Sequence, residues 1–292
     1  MTEWRQTARL HQARWREAHG HPIGTQPIAP RPDGKPVRLV GSRIPLEYGR
    51  ATGATFLTKG ALRAARARMS TIERNQSIDH QRTWADLLSS EALAFNLFGD
   101  LADDVDAADR AVHRWWPEAP GRVSEVRFAH SPGWLDPEYL NSLRSFDVAF
   151  ALDRGDGTRG VIGIDTKYHE RAKSEIPKPQ NLRRYLAVAE GSGAFRAESL
   201  GVLPGRSELA VMWLEHLLLH SMLQHPSGGW TWGRYIVIHP SGNPDIAGLC
   251  ARYSDLLADG TTFSSKTIEA LLDAAAMPSA TAATLRERYL PD

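Results

Sequence analysis

Cysteine is almost absent from this 292-residue chain: Cys250 stands alone, which excludes an intrachain disulfide and any paired-thiol zinc or redox motif. Long apolar runs are missing as well. The densest, at Leu217-Leu218-Leu219, falls far short of the ~20 residues that cross a bilayer, and the start, Met1-Thr2-Glu3-Trp4-Arg5-Gln6, lacks the apolar stretch of a signal peptide. G-x-S-x-G, Walker A and repeat patterns do not occur, so common hydrolase, NTPase and solenoid readings fall away. A cytoplasmic protein with no membrane contact is the expectation that remains.

A strong net charge is lacking too, yet the near balance of +1 hides an asymmetry. Residues 1–82 hold 15 Lys and Arg against 6 Asp and Glu, a net of +9, and residues 83–292 hold 20 against 28, a net of −8. The N-terminal part is therefore expected to meet a polyanion, or the acidic remainder of its own chain or of a partner subunit.

What is present begins with enough apolar residues, 42%, to bury a sizeable core in one or two domains. Residues 3–19 read as a basic helix, and the stretch from His21 to Pro45, with prolines at 22, 27, 30, 32, 36 and 45, as an extended segment that wraps or links. Helical patterns follow over 59–74, 83–98, 106–115, 180–190, 207–224, 245–258, 265–275 and 280–289, with strands at 122–129 and 234–238. The sum is a small mixed sheet with helices around it, fronted by a basic helical arm.

The most informative stretch lies between residues 145 and 167. Two alternating strands, Ser145 to Leu152 and Gly160 to Lys167, flank the turn Gly155-Asp156-Gly157. Symmetric pairing about Asp156 makes facing residues sum to 312, so Asp147 falls opposite Asp165, and Lys167 shares the face of Asp165. The other face sends Val148, Phe150, Leu152, Ile162 and Ile164 into a core. Two carboxylates gathered in this way repel unless a cation sits between them.

Glu91 is out of place in its own pattern. In the stretch from Thr83 to Phe98, Trp84, Leu87, Leu88, Ala94, Phe95 and Phe98 form an apolar stripe, and Glu91 falls within it. A carboxylate there must be protonated, paired or aimed at a cation. Either it reaches solvent or caps a neighbouring chain segment, or it points at the hairpin carboxylates.

An acid on a helix, then Asp on a strand, then Asp-x-Lys at the end of the next strand is a pattern that resembles the PD-(D/E)XK, or restriction-endonuclease-like, nuclease superfamily. Glu91, Asp147, Asp165 and Lys167 occupy those positions. The stretches Leu88 to Gly99 and Gly163 to Glu170 are similar to a narrower family of bacterial members, and the likeness extends from His21-Pro22-Ile23-Gly24 to Ile238-His239-Pro240. Two departures stand out: Phe146 replaces the Pro before the first Asp, and Gln180 and Tyr185 are one residue too far apart for the Gln-x-x-x-Tyr element of RecB-like nucleases.

The resemblance implies an α/β fold, a restriction-endonuclease-like core whose mixed central sheet is flanked by helices. It would occupy residues 83–292 behind a basic helical and Pro-rich N-terminal extension, residues 1–82. It also implies a Mg²⁺-dependent endonuclease acting on DNA in restriction or phage defence, with Mn²⁺ able to substitute. Asp147, Asp165, the Thr166 carbonyl and Glu91 would hold the ion, and Lys167 would favour hydroxide beside it. An inert or partner-activated nucleic-acid binder of the same fold is the alternative. Cutting both strands of a duplex favours a homodimer.

After the hairpin come His169, Lys173, Gln180, Arg183, Arg184 and Tyr185, cations and hydrogen-bonding groups suited to phosphate contacts. Other motifs are decoys. Gly155 to Gly160 matches G-x-G-x-x-G but opens a strand, not the helix that a dinucleotide site requires. His216 and His220 share a helix with Glu215, without the H-E-x-x-H order, and read as packing or nucleic-acid-facing residues. The nine tryptophans read as core.

Overall fold

Strand alternation over 145–167 produces the hairpin that its spacing predicts. The protein's structure is a computed structural model that describes residues 3–28, 37–71, 73, 78–171, 174–205 and 207–291. In chain order it forms α1 (Glu3–Ala18), β1 (Gly24–Gln26), β2 (Arg38–Val40), α2 (Leu46–Thr52), α3 (Lys59–Ser70), α4 (His80–Ala85), α5 (Ser90–Phe98), α6 (Val105–Trp115) and β3 (Arg122–His130). Then follow β4 (Phe146–Asp153), β5 (Arg159–Thr166), α7 (Leu182–Ser192), α8 (Ala210–Leu223), β6 (Trp230–His239), α9 (Pro244–Ser254), β7 (Phe263–Thr267), α10 (Ile268–Asp273) and α11 (Ser279–Tyr289).

The central sheet has the order β3-β4-β5-β6-β7. β3, β4 and β5 are antiparallel neighbours, and β6 and β7 join in parallel, so the sheet is mixed. Every β4–β5 pair, from Val148 with Ile164 to Asp153 with Arg159, keeps the predicted register. Gly155 and Gly157 take positive φ, 75° and 83°, as a tight turn between strands requires.

Each face of the sheet has its own core. Val148, Phe150, Leu152, Ile162 and Ile164 pack with Phe95, Phe98, Val112, Trp115 and Leu285, which places α5, α6 and α11 on that side. Ala149, Ala151, Val161, Tyr235 and Val237 pack with Val188, Trp213, Leu217 and Tyr253, from α7, α8 and α9. Small residues on this second face make room. A Cβ on Gly163 would lie 2.6 Å from the Phe146 ring, so a side chain there would collide with the residue that stands in the usual Pro position.

The N-terminal helix docks on this body beside the end of β5. Trp4 and Ala8 lie in the first core, Trp4 Nε1 donates to the Tyr168 carbonyl at 3.0 Å, and Gln12 Nε2 donates to the Tyr168 hydroxyl at 3.0 Å. Part of the basic charge of residues 1–82 meets acids of the remainder, in Arg43–Asp86 at 3.4 Å, Arg63–Asp103 at 3.0 Å and Arg82–Asp86 at 3.5 Å.

Two predicted helices need correction. The stretch 83–98 is not one helix: it breaks between Ala85 and Ser90. There Ile44 N donates to Ala85 O, Leu87 N donates to Ser42 O, and the Ser89 hydroxyl caps Ala92 N to start α5 anew. Residues 263–267 form β7 rather than the start of a helix over 265–275, because pairing with β6 overrides local preference until Thr267 caps Ala270 N. Among the described residues no helix is long and apolar enough to cross a membrane.

Candidate active site

The site lies at the end of the sheet where β4 begins and β5 finishes. Lys167 N donates to Ile238 O at 2.8 Å, which ties the residue after β5 to β6. The Lys167 side chain then turns back, and its Nζ lies 2.7 Å and 2.6 Å from the two oxygens of Asp165. Tyr235, on the neighbouring strand, donates to Asp165 Oδ2 at 3.3 Å. Asp147 Oδ2 accepts from Thr166 N at 2.7 Å and lies 2.8 Å from the Thr166 hydroxyl, which is also 2.9 Å from the Ser90 carbonyl of α5. The hairpin is thereby linked to the first turn of α5.

Burial and mutual repulsion govern the charges. Burial pushes the Asp147 carboxyl well above the ordinary range, and the Asp165 charge adds to it; Lys167 and the Thr166 hydrogen bonds oppose the shift. Burial disfavours the Lys167 charge, yet Asp165 and Asp147 outweigh it and hold the ammonium above its usual value. The pair of acids therefore has one cation where two charges need compensation.

Glu91 reaches the site by a different route from the one its apolar stripe suggested. The break before Ser90 puts it in the first turn of α5, half-buried, where the helix dipole favours a negative charge. Its Oε2 accepts from the Thr83 hydroxyl at 2.5 Å and its Oε1 from Asp79 N at 3.3 Å, so it braces the start of α4. It also lines a cavity of about 30 Å³ together with Asp147, Phe95, Ala129 and Ser145. Capping and facing the hairpin are both present.

A further acid, Glu215 of α8, stands on the other face. It is 7% exposed and lies near Asp165 and Lys167, each of which perturbs it. Burial raises its carboxyl to about 8, with Asp165 adding to the shift and Arg144 opposing it. Arg144 Nη1 donates to Glu215 Oε1 at 3.4 Å, and its other arm pairs with Glu175. Sequence inspection met Glu215 only beside the two histidines. The available signal was a charged residue inside a helix that is otherwise apolar all round.

A model of the PD-(D/E)XK nuclease superfamily matches residues 2–291 of the chain. The chain belongs to the PD-(D/E)XK nuclease superfamily. No curated protein and no solved structure matches it. The five-stranded mixed sheet flanked by helices is the restriction-endonuclease-like core, and members of the superfamily are nucleases that generally use divalent metal ions.

The donors of this nuclease fit a hard divalent cation. Asp147 and Asp165 supply carboxylate oxygens on one sheet end, and Asp147 Oδ1 accepts no hydrogen bond among the described residues. Among those residues no group of three or more His, Cys, Asp or Glu forms a complete cage. Two carboxylates without a full cage suit a divalent ion that keeps several waters and takes substrate phosphate oxygens.

The candidate nucleic-acid residues divide by environment. Gln180 and Arg183 are exposed, and His169 is half-buried with its Nδ1 unpartnered. Arg184 donates to the Tyr139 and Glu138 carbonyls at 2.6 Å and 2.7 Å, and Tyr185 is 2% exposed, its hydroxyl 3.3 Å from Asn181 Nδ2. Lys173 lies outside the described residues. His216 is buried, 3.0 Å from the Tyr253 hydroxyl and 2.9 Å from the Thr262 hydroxyl, so this histidine is packing. All tryptophans except Trp134 and Trp232 are buried.

Proposed function

We propose that this nuclease is a Mg²⁺-dependent deoxyribonuclease, an endonuclease of restriction or phage defence, in which Mn²⁺ can replace Mg²⁺. The observation that carries the reading is the nearness of Asp147 and Asp165, one position beyond the last β4–β5 pair, Val148 with Ile164, with Lys167 folded onto Asp165. Asp147, Asp165 and the Thr166 carbonyl would hold the ion, with Glu91 beside Asp147. When bound, the ion supplies polarisation of the scissile phosphate and acidification of a water.

The rest is done by the chain itself. Lys167 offsets negative charge that builds on the phosphate oxygens and orients the attacking water. Asp165 and Tyr235 fix where the ammonium sits, and Thr166 fixes the rotamer of Asp147. Glu91 braces α4 and presents a carboxylate to the Asp147 cavity.

A cleft of about 840 Å³ between α3 and the edge strand β3 offers a DNA path: Arg63, Arg66, Arg68, Arg127 and His130 line it, together with Asp103, Glu73 and Glu125, which pair with Arg63, Arg68 and Arg127. Its strand, β3, also supplies Ala129 to the Asp147 cavity. Residues 1–82 thus act as a basic extension laid on the nuclease body of residues 83–292. On the far side of the hairpin, His169, Gln180 and Arg183 extend the path, while Arg184 and Tyr185 hold that segment in place. Homodimerisation would bring two such sites to one duplex.

A second reading has its own support: Asp165 is engaged from within by Lys167, and one oxygen of Asp147 by Thr166. A protein in this state would bind DNA and stay silent until a partner or ligand frees the carboxylates. Mn²⁺ titration together with DNA binding separates the two. The nuclease reading expects a metal site that Asp147→Ala abolishes; an inert binder keeps salt-sensitive DNA affinity and shows no such site.

A further inference from the structure

The connection between β3 and β4 is far longer than these strands require. Adjacent antiparallel strands are joined by loops of about 2–5 residues, whereas this one runs from Ser131 to Ser145. It borders three cavities. Ser131 and Pro132 line the cleft beside α3, Ser142 to Ser145 line a cavity of about 290 Å³ toward α8, and Ser145 also lines the cavity of Glu91 and Asp147. Long loops set on a rigid scaffold at such a place commonly carry binding residues.

Tertiary contacts fix the loop. Arg184 donates to the Tyr139 and Glu138 carbonyls, Asn181 Nδ2 donates to the Asn141 carbonyl, and the Tyr139 ring stacks on His225 with centroids 4.3 Å apart. Leu135 N donates to Ser142 O at 3.0 Å, which lays Leu135 against the segment that walls the two smaller cavities. Yet this fixed frame leaves Leu135 42% exposed and Leu143 39% exposed. Leu135 also holds φ at 55°, a left-handed conformation that strains a bulky side chain. Apolar exposure and backbone strain in one anchored loop beside Asp147 point to function rather than stability.

The charge around the pair names its occupant. Arg66 in the cleft and Lys178 in the α8-side cavity are exposed and have no ion pair among the described residues. A strand running from one to the other past Asp147 would carry its phosphates along cations and its bases along the leucines. We propose that Leu135 and Leu143 form a wedge that enters the base stack of bound DNA beside the scissile phosphate and opens the duplex at the step to be cut. An aliphatic wedge has no hydrogen bonds with which to read a base, so it selects steps that unstack easily rather than a sequence. The proposal rests on the nuclease reading for the identity of the ligand.

The test reads base stacking, not cutting. Full-length protein in EDTA saturates short duplexes that carry 2-aminopurine, whose emission rises when it leaves the stack, at successive positions. The double variant Leu135→Gly with Leu143→Ser removes the wedge, and because glycine accepts the left-handed conformation it should keep the wild-type thermal midpoint. Wild type is expected to raise the emission and to bind a duplex with a central mismatch about tenfold more tightly than the matched one, since there the unstacking is already done. The double variant should lose both effects while its affinity for the matched duplex stays within a few-fold of wild type. Leu143→Ser alone, at an exposed position, should reduce the mismatch preference to about threefold, which keeps the test valid if the double variant unfolds. Unchanged emission in wild type, effects that survive in the variants, or no DNA binding would overturn the proposal. Flat emission together with a self-associated form that the variants dissociate would make the pair a protein interface instead. If the protein cuts nothing with Mg²⁺, the emission is still read, so the two readings fail separately.

Discussion

Two helices bring a carboxylate to the hairpin, and they do it in opposite ways. Glu91 sits in the first turn of α5, half-exposed and engaged by Thr83 and the Asp79 amide. Glu215 sits in the body of α8, buried, with Arg144 on one oxygen and, among the described residues, no hydrogen-bond partner on the other. A helix N-terminus tolerates a carboxylate through its free amides and dipole. Mid-helix burial has no such support and must borrow a cation from elsewhere. The comparison separates an acid stabilised by its place in a helix from one retained despite its place.

The hairpin acids give the largest expected effect. Asp165→Asn should lower Mg²⁺-dependent cleavage by at least about 10³-fold, since neither helix acid replaces it; rates on labelled DNA check this, and a loss under tenfold would mean that Glu91 or Glu215 substitutes. Glu91→Gln should cost about 10- to 100-fold in cleavage, with a thermal midpoint close to wild type because the amide still accepts from Thr83.

Glu215 should differ in stability. Its carboxyl is raised to about 8 in the fold against an ordinary 4.5, so the folded state prefers the proton. It costs no stability below the ordinary value, a growing amount as pH rises toward 8, and a constant amount above. Glu215→Gln should therefore match wild type near pH 4.5 and exceed it by about 1–3 kcal/mol at pH 9, read by denaturant melts across pH. A variant that is less stable at pH 9 would show that the Arg144 pair outweighs burial. His220, which burial lowers to about 4, acts on the acid side: stability is lost as pH falls from 6.5, and His220→Gln should flatten that limb.

The smallest effect concerns the cations beyond the hairpin. Arg183→Ala should weaken DNA binding a few-fold and reduce the salt slope by about one. Arg184→Ala should instead cost about 1 kcal/mol of stability, because its guanidinium satisfies the Glu138 and Tyr139 carbonyls. Equal effects on salt slope would erase the division between them.

The hairpin was readable because its information is local: a symmetric turn and a period of two put Asp147 across from Asp165 without reference to the rest of the chain. The α5 break was not, since it depends on residues 42–44 pairing with Ala85 and Leu87, about forty positions away. Glu91 was identified from a stripe that the fold divides, and it still faces Asp147 because α5 begins where the Thr166 hydroxyl meets Ser90. β7 was hidden for the same reason as the break, its strand character coming from β6. Glu215 was hidden by company, a single acid among helical apolar residues whose partner Arg144 is 71 positions away.

Plasmid cleavage with Mg²⁺, repeated in EDTA and with Asp165→Ala, with single-stranded DNA and RNA run in parallel, tests the central claim most directly. The account predicts cutting of DNA that both controls abolish. Cutting that survives either control, or none of any polymer, would contradict it.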